Sequence, residues 1–345
     1  MNRFNLIGGE WCEAEAKERM SVFDPADDEL ICSVPSSGQR EVSRAVDGAE
    51  SSLETMDNLG LKSRISIVRK ISEGIRTRRD EIASLITQEQ GKPLGESLAE
   101  IDYAVSFFDQ SIRDAHYCES VPVEIPNKDV VVHMRSVGIA ALILAWNFPL
   151  ALLAKKVAPA IIAGCPLIIK PSEYTPLTAL IFGEIALDAG LPPKAISILT
   201  GQPELIGKVI MDDCRVRKIS FTGSTHVGRI LIRQSAPHMT RLSLELGGHA
   251  PFIVFADANI DSAVDVAMKS KFRNGGQTCI APNRFLIHED VHDTFVSVLR
   301  ERVSQLCSGR GQDSGVDLGP MISDSAIQKV EHHCQDMLDN GGNLV

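Results

Sequence analysis

Short apolar segments alternate with longer segments of helical periodicity along residues 138–234, and this alternation restricts the possible folds more than any other feature of the chain. Two strands joined by a helix run parallel, because the helix crosses one face of the sheet before the chain returns. The pattern therefore predicts an α/β fold with a doubly wound parallel sheet. The predicted strands are 138–144, 166–169, 195–200 and 217–221, and the predicted helices are 150–162, 178–189, 204–211 and 225–234.

The flanking segments predict further elements. Residues 1–115 indicate an entry strand pair followed by amphipathic helices, with apolar residues at helical spacing over 64–86. A Pro-Asn-Lys-Asp turn between β-branched residues predicts a hairpin over 121–134. A second α/β unit begins near Gly247 and ends with a helix over 328–338 and a glycine turn. The expected division is 1–120 with 138–246, then 121–137, then 247–345.

Composition narrows the class of protein. The net charge of −10 argues against a nucleic-acid or anionic-membrane surface, although a local basic patch is compatible with a phosphorylated cofactor. The longest apolar stretch, 137–145, is far shorter than a membrane span, and the first ten residues have no apolar run typical of a signal peptide. The eight cysteines are scattered singly, which favours reduced thiols in a cytoplasmic protein.

Cys279 differs from the other cysteines because it follows the flexible glycines Gly275 and Gly276, without a second thiol or a metal-ligand spacing nearby. These surroundings favour a nucleophile. Glu245 lies upstream between two leucines and before two glycines, and a carboxylate in an apolar frame suits a general base. The pair indicates covalent thiol chemistry on a small electrophile.

Residues 221–228 lie between a predicted strand and a predicted helix. Gly223 would let the backbone approach an anion, and Ser224 with the helix amides would solvate a pyrophosphate. The alternative is that Ser224 only caps the helix, and the segment lacks the full G-x-G-x-x-G pattern. On this segment alone, both interpretations remain open.

Two other predicted strands also end in polar residues. Lys170 and Glu173 follow one strand, where a carboxylate can accept both hydroxyls of a nucleotide ribose, but a surface Lys/Glu pair is the alternative. Asn147 follows another, where its amide can stabilise an oxyanion, but Asn-Phe-Pro is also an ordinary turn.

Taken together, five motifs resemble the aldehyde dehydrogenase superfamily in order and spacing, and 247–255 resembles its succinate-semialdehyde dehydrogenase branch. The five motifs are Trp146-Asn147-Phe148-Pro149, Lys170-Pro171-Ser172-Glu173, Phe221-Thr222-Gly223-Ser224, Leu244-Glu245-Leu246-Gly247-Gly248 and Gly276-Gln277-Thr278-Cys279. The resemblance implies a Rossmann-like NAD-binding domain (1–120 and 138–246), an oligomerisation hairpin (121–137) that protrudes, and the first half of a catalytic domain (247–345).

The resemblance also implies roles for individual residues. Cys279 would attack the aldehyde, Asn147 would hold the oxyanion, and Glu245 would activate water to hydrolyse the thioester. Arg273 matches one of two arginines that anchor a substrate carboxylate in the semialdehyde branch, with a surface helix-end arginine as the alternative, and Lys155 replaces the other arginine. No metal is implied.

The cofactor implied is NAD, with NADP disfavoured because its extra phosphate would lie against Glu173. The residues expected to contact it are Trp146, Lys170, Ser172, Glu173, Gly201, Gly207, Phe221, Thr222, Gly223, Ser224, Gly228 and Leu246. The expected partners are a small aldehyde and, as in the family, further copies of the chain.

Relatives in this superfamily continue for well over a hundred residues beyond the last motif found here. We therefore expect a C-terminally truncated chain that, expressed alone, has little or no dehydrogenase activity and poor solubility, because an unfinished parallel sheet exposes an edge. Two other functions stay open at this point. One is a nucleotide-binding or subunit-associating protein without turnover, and the other is a thiol esterase that needs no cofactor.

Overall fold

The computed structural model describes residues 3–345. Its strands are β1 (Asn5–Ile7), β2 (Glu10–Cys12), β3 (Arg19–Phe23), β4 (Leu30–Pro35), β5 (Val121–Ile125), β6 (Lys128–Val132), β7 (Ile139–Ile143), β8 (Leu167–Lys170), β9 (Ile196–Ile198), β10 (Val216–Gly223), β11 (Arg241–Leu246), β12 (Ala250–Val254) and β13 (Pro282–Ile287). Its helices are α1 (Gln39–Ser51), α2 (Leu53–Asn58), α3 (Gly60–Thr77), α4 (Arg79–Gln90), α5 (Leu94–Arg113), α6 (Pro149–Ala163), α7 (Leu177–Asp188), α8 (Pro203–Asp212), α9 (Thr225–Ser235), α10 (Ile260–Lys271), α11 (Glu289–Ser304) and α12 (Asp324–Asp339).

The chain forms two compact units. Unit 1 comprises Met1–Val22, Leu30–Leu85 and Leu98–Leu246, and unit 2 comprises Phe23–Glu29, Ile86–Ser97 and Gly247–Val345. The last boundary between the two units follows Leu246. Two short segments that the sequence analysis assigned to the first part, 23–29 and 86–97, belong to unit 2, because their contacts are with residues remote in sequence, which local patterns do not reveal.

Unit 1 is built on a seven-stranded sheet with the order β11-β10-β7-β8-β9-β1-β2. The five strands from β11 to β9 are parallel, and the α/β fold predicted from the sequence is confirmed. The chain runs outward from β7 to β9 and then returns across β7 to add β10 and β11 on the other side. The strand order therefore reverses between β7 and β10, and β1 and β2 add an antiparallel end.

The parallel strands form the core because helices cover both faces of the sheet. All four residues of β8 are buried, and so are all three of β9. Strands buried on both faces read as continuous apolar runs, which is why these segments were recognisable in the sequence. Helix α7 is likewise apolar nearly all round and is buried along most of its length.

Unit 2 has a smaller core. Strands β12 and β13 form a parallel pair, and the rings of Phe252, Phe285 and Phe295 pack around one another with centroids 5.2–6.4 Å apart. Helices α10 and α11 supply the remaining apolar contacts, through Val264, Ala267 and their neighbours. This core therefore combines three aromatic rings with surrounding aliphatic side chains.

The predicted hairpin is present as β5 and β6, with a two-residue turn in which Asn127 has φ 62°. The periodic segment 64–86 is two helices, α3 and α4, because the backbone of Arg78 leaves the helical region with ψ 24°. Strand β11 had no counterpart among the predicted elements, although its strict alternation of polar and apolar residues is typical of a half-buried strand. Along residues 3–345, no helix combines the length and apolar character that crossing a bilayer requires.

Helix α6 depends on a carboxylate from α5 at its N-terminus. Its N-cap residue, Phe148, has no side chain that can accept a hydrogen bond, and Pro149 has no amide proton. The Oε1 atom of the fully buried Glu100 accepts hydrogen bonds from the amides of Leu150 (2.9 Å) and Ala151 (3.1 Å). A negative charge at this position also interacts favourably with the helix dipole.

Replacing Glu100 with alanine should destabilise unit 1, because two buried amides would lose their acceptor. Each unsatisfied amide costs about 1–3 kcal/mol, so the free energy of unfolding should fall by about 2–6 kcal/mol, as measured by urea denaturation. Glu100→Gln keeps an acceptor oxygen and should lose less. Glu73→Ala, which removes an exposed acid from α3, is the matched control; an equal loss in Glu73→Ala and Glu100→Ala would contradict the capping role.

Candidate functional site

The predicted cofactor residues of unit 1 gather at the carboxyl edge of the parallel sheet. Trp146 and Asn147 follow β7, Lys170 ends β8, Gly223 ends β10 and Leu246 ends β11. Strand register aligns these ends, because Ile143 pairs with both Lys170 and Phe221, and Gly223 pairs with Leu246. The strand order reverses between β7 and β10, and parallel sheets bind ligands at the carboxyl edge beside such a reversal.

Lys170 and Glu173 form an ion pair at this edge, with Nζ and Oε2 3.2 Å apart. The lysine side chain is 3% exposed and the glutamate side chain 37% exposed. Burial lowers the pKa of Lys170, and the charge of Glu173 acts in the opposite direction. The hydroxyl of buried Ser172 accepts a hydrogen bond from the amide of Tyr174, so this serine shapes the turn.

Ser224 caps α9, since its Oγ atom accepts a hydrogen bond from the amide of Val227 at 3.2 Å. The hydroxyl therefore caps the helix. Because a serine hydroxyl can accept and donate at the same time, the cap is compatible with the predicted contact to a pyrophosphate. Gly223 is required by packing, because a Cβ atom there would lie 2.4 Å from the ring of Phe221. A Cβ atom on Gly228 would approach the side chain of Leu246 to 3.0 Å.

Gly201 and Gly207 have different surroundings. A Cβ atom on Gly201, whose φ is 133°, would lie 2.7 Å from the amide nitrogen of Ser37, so this glycine is a packing requirement. Gly207, on α8, faces open space. Within the described residues, the buried Oγ1 atom of Thr222 has no hydrogen-bond partner. An unpartnered hydroxyl and an ion pair at the carboxyl edge fit a nucleotide such as NAD(P).

Glu245 is ion-paired with Lys155, with Oε1 and Nζ 3.0 Å apart. Its side chain is 52% exposed, so the apolar frame inferred from the sequence does not enclose it. The reason is the two-residue period of β11, which turns Leu244 and Leu246 to the opposite face. The ammonium of Lys155 is therefore engaged by Glu245 within unit 1.

Lys156 is a functional candidate that the sequence analysis did not identify. Its residue is only 6% exposed, and its Nζ atom donates a hydrogen bond to Oγ of Ser220 at 2.9 Å. Burial lowers the pKa of Lys156 to about 8, against the opposing effect of Glu245. Lys156 lies three residues after Leu153, so the two share the buried face of α6. This helical spacing is the feature of the sequence that could have indicated its burial.

In unit 2, Cys279 is exposed at the end of a left-handed turn. The φ angles of Asn274, Gly275 and Gly276 are 54°, 59° and 77°, which explains the two glycines. Gly248 passes so close that a Cβ atom on it would lie 2.9 Å from the carbonyl oxygen of Cys279. Arg273 begins this turn, at the end of α10.

The side chain of Gln277 secures the turn before Cys279. Its Nε2 atom donates to the carbonyls of Asn274 (3.1 Å) and Pro320 (3.4 Å), and its Oε1 atom accepts from the amide of Ile322 (3.0 Å). Among residues 3–345, the buried hydroxyl of Thr278 has no hydrogen-bond partner. In the same part of the chain, no group of three or more His, Cys, Asp or Glu side chains is arranged to hold a metal ion.

A parallel sheet with nucleotide-type residues at its carboxyl edge places the chain among the α/β nucleotide-dependent proteins. More specifically, residues 11–345 match the Aldehyde dehydrogenase family, and the chain belongs to this family. Its members oxidise aldehydes with NAD(P), and the resemblance found in the sequence is confirmed.

Two bacterial relatives are each 41% identical to the chain over 342 residues, covering 99% of it and 71% of their own length. They are the succinate semialdehyde dehydrogenase of Acinetobacter baylyi and the NADP(+)-dependent succinate-semialdehyde dehydrogenase of Escherichia coli. The crystal structure of succinate-semialdehyde dehydrogenase from Burkholderia pseudomallei superposes with a TM-score of 0.97 at 43% identity, over 99% of this chain and 72% of that one.

The pH dependence of stability should report the burial of Lys156. Below about pH 8 the lysine is charged in both the folded and the unfolded chain. Between its folded pKa of about 8 and the ordinary 10.5, only the unfolded chain keeps the proton, so stability rises with pH. A tenfold change in proton affinity is worth about 1.4 kcal/mol, so the rise amounts to about 3 kcal/mol.

Urea denaturation of the wild type and of Lys156→Met, from about pH 7 to about pH 10.5, isolates this contribution, because the other titrating groups cancel in the difference. The stability of the wild type relative to the variant should increase across this range. Parallel curves for the two proteins would contradict the assignment.

Proposed function

We propose that this chain oxidises an aldehyde to the carboxylic acid through a covalent intermediate on Cys279. The observation that carries the proposal is an exposed cysteine at the end of a left-handed turn that Gln277 secures, in a member of the aldehyde dehydrogenase family. A thiolate is a strong nucleophile, and a covalent intermediate divides a difficult oxidation into two easier steps.

In the first step, the thiolate sulfur of Cys279 forms a bond to the aldehyde carbon, and the carbonyl π electrons move to oxygen. The side-chain amide of Asn147 and the backbone amide of Cys279 donate hydrogen bonds to this oxyanion. Expulsion of hydride from the carbon restores the carbonyl and leaves a thioester. NAD(P), when bound, supplies the acceptor for this hydride.

In the second step, Glu245 takes a proton from water, and the hydroxide adds to the thioester carbon. The carbon–sulfur bond then breaks, which releases the acid and regenerates the thiolate, while the proton on Glu245 passes to solvent. The apolar frame that first suggested this role is absent, and the carboxylate is paired with Lys155. Its 52% exposure leaves it in reach of water, which the role requires.

The ion pair of Lys170 and Glu173 supports NAD as the preferred cofactor. A carboxylate at the end of β8 accepts hydrogen bonds from ribose hydroxyls and repels the additional phosphate of NADP. The amides at the start of α9, the open side of Gly207 and the hydroxyl of Thr222 would hold the phosphates and ribose. The proposed preference differs from that of the Escherichia coli relative, whose name specifies NADP(+).

We propose a short semialdehyde as the substrate, with its carboxylate bound by Arg273. The support is the position of Arg273 at the start of the Cys279 turn and the names of the succinate-semialdehyde dehydrogenase relatives. The other matching position, Lys155, has its ammonium paired with Glu245.

We also propose that the chain assembles with further copies of itself through the hairpin β5–β6. Every residue of β5 is exposed, and apolar side chains dominate both strands. An exposed apolar two-stranded ribbon is marginally stable without a partner. The exposed apolar residues are Val121, Val123, Ile125, Val131 and Val132.

Replacing Cys279 with serine should reduce turnover by at least about a thousandfold, because an alcohol is a far weaker nucleophile than a thiolate. The measurement is NADH formation from succinate semialdehyde, together with NAD binding by calorimetry, which should be unchanged. Cys307→Ser, at another exposed cysteine of unit 2, is the matched control and should retain activity. Equal turnover in Cys279→Ser and the wild type would disprove the proposal.

The preference for NAD has its own test, a comparison of steady-state kinetics with the two cofactors. A lower Michaelis constant and a higher turnover with NADP than with NAD would disprove the preference.

Replacing Arg273 with alanine should raise the Michaelis constant for succinate semialdehyde by about tenfold or more, since a charged hydrogen bond is lost. The Michaelis constant for an uncharged aldehyde of similar length should change little. Arg300→Ala, an exposed arginine of α11, serves as the control. An equal increase in the Michaelis constant for both aldehydes would show that Arg273 does not bind the substrate carboxylate.

A further inference from the structure

The turn that leads to Cys279 begins with an unusual backbone conformation. Asn274 has φ 54° and ψ 37°, in the left-handed region that residues other than glycine rarely adopt. Asparagine tolerates this region better than most residues, but a cost of about 1 kcal/mol remains. Asn274 is also 2% exposed, so contacts within unit 2 must maintain this conformation.

A carboxylate remote in sequence holds the amide of this residue. The Oε2 atom of Glu96 accepts a hydrogen bond from the backbone N–H of Asn274 at 2.8 Å. Glu96 stands in the first turn of α5, in the segment Ile86–Ser97 that belongs to unit 2. A hydrogen bond to a carboxylate is about twice as strong as one between neutral groups.

The segment that carries Glu96 is itself fixed. The amide of Leu94 donates to the carbonyl of Gly311 at 2.8 Å, and Gly319 packs so tightly on Gly91 that a Cβ atom would lie 2.0 Å from the Gly91 carbonyl oxygen. Glu96 is therefore presented to Asn274 from a rigid support within unit 2 rather than from a mobile loop.

Glu96 and Gln277 act on opposite ends of the same turn. The side chain of Gln277 forms hydrogen bonds with the carbonyl of Asn274 and with the backbone of residues 320–322. Glu96 accepts a hydrogen bond from the amide of Asn274. With both ends held, the turn from Asn274 to Gln277 has little freedom. Cys279 follows it after one residue, Thr278, whose amide donates to the carbonyl of Gly276 at 2.9 Å. The direction in which the chain presents Cys279 follows from these contacts.

We propose that Glu96 is a positioning residue for Cys279: its carboxylate holds Asn274 in the left-handed conformation that aims the nucleophile. This inference rests on the proposed role of Cys279 as the nucleophile. Glu96 does not take part in bond making. Its contribution is to reduce the number of conformations of the turn, so that the thiolate is aligned before the aldehyde arrives.

The test compares Glu96→Ala, which removes the acceptor, with Glu96→Gln, which keeps an acceptor oxygen. Hydrogen exchange of the peptide 272–281, read by mass spectrometry, should accelerate by about tenfold or more in Glu96→Ala, since the charged hydrogen bond no longer opposes opening. In Glu96→Gln it should remain within about threefold of the wild type, because a neutral hydrogen bond replaces the charged one. Glu331→Ala, an exposed acid of α12, is the control and should leave exchange unchanged.

The second measurement is turnover. Glu96→Ala should lower kcat by about tenfold or more with little change in KM, and Glu96→Gln should restore most of it. Unchanged exchange in Glu96→Ala would overturn the proposal, and so would accelerated exchange throughout unit 2, which would indicate general destabilisation. Local acceleration with unchanged kcat would overturn it as well. Hydrogen exchange does not depend on turnover, so a failure of the proposed chemistry, seen as full activity in Cys279→Ser, is distinguishable from a failure of the Glu96 contact.

Discussion

The register of five parallel strands is the constraint on which the site in unit 1 depends. Because β7, β8, β9, β10 and β11 run in one direction, each strand delivers its last residue to the same edge of the sheet. A shift of register by one residue would turn each side chain of a strand to the opposite face. Burial of β7, β8 and β9 on both faces makes such a shift costly, so the core also maintains the positions of the polar residues at the edge.

Several polar groups in unit 1 lie in positions where burial is unfavourable, and each is compensated locally. Glu100 is held by two helix amides, Lys156 by the hydroxyl of Ser220 and Lys170 by Glu173. All three belong to, or contact, elements that end at the carboxyl edge. A buried charge with specific partners fixes one arrangement of its neighbours, because any other arrangement would leave the charge unsatisfied. These residues therefore connect the stability of the core with the geometry of the edge.

The sequence predicted most of unit 1, because buried parallel strands and apolar helices have distinct patterns, and the predicted elements 166–169 and 204–211 agree with β8 and α8 to within one residue. It could not predict contacts that join remote segments. Two such contacts are the hydrogen bond that the Asn274 amide donates to Glu96 and the cap that Glu100 provides for α6. Neither has a local pattern in the sequence, where α5 has the periodicity of an ordinary amphipathic helix. The prediction of an apolar environment for Glu245 was wrong for a simpler reason, because neighbours in sequence lie on opposite faces of a strand.

The Asn274-Gly275 pair also has a consequence for the chemical lifetime of the protein. Asparagine followed by glycine is the sequence most prone to deamidation, in which the next backbone nitrogen attacks the side-chain amide. Asn274 is only 2% exposed, so the packing around its side chain hinders this ring closure. Asn340-Gly341 is the same dipeptide in an exposed position after α12. As the protein ages, succinimide formation will therefore occur first at Asn340-Gly341 and will leave the turn before Cys279 intact for longer.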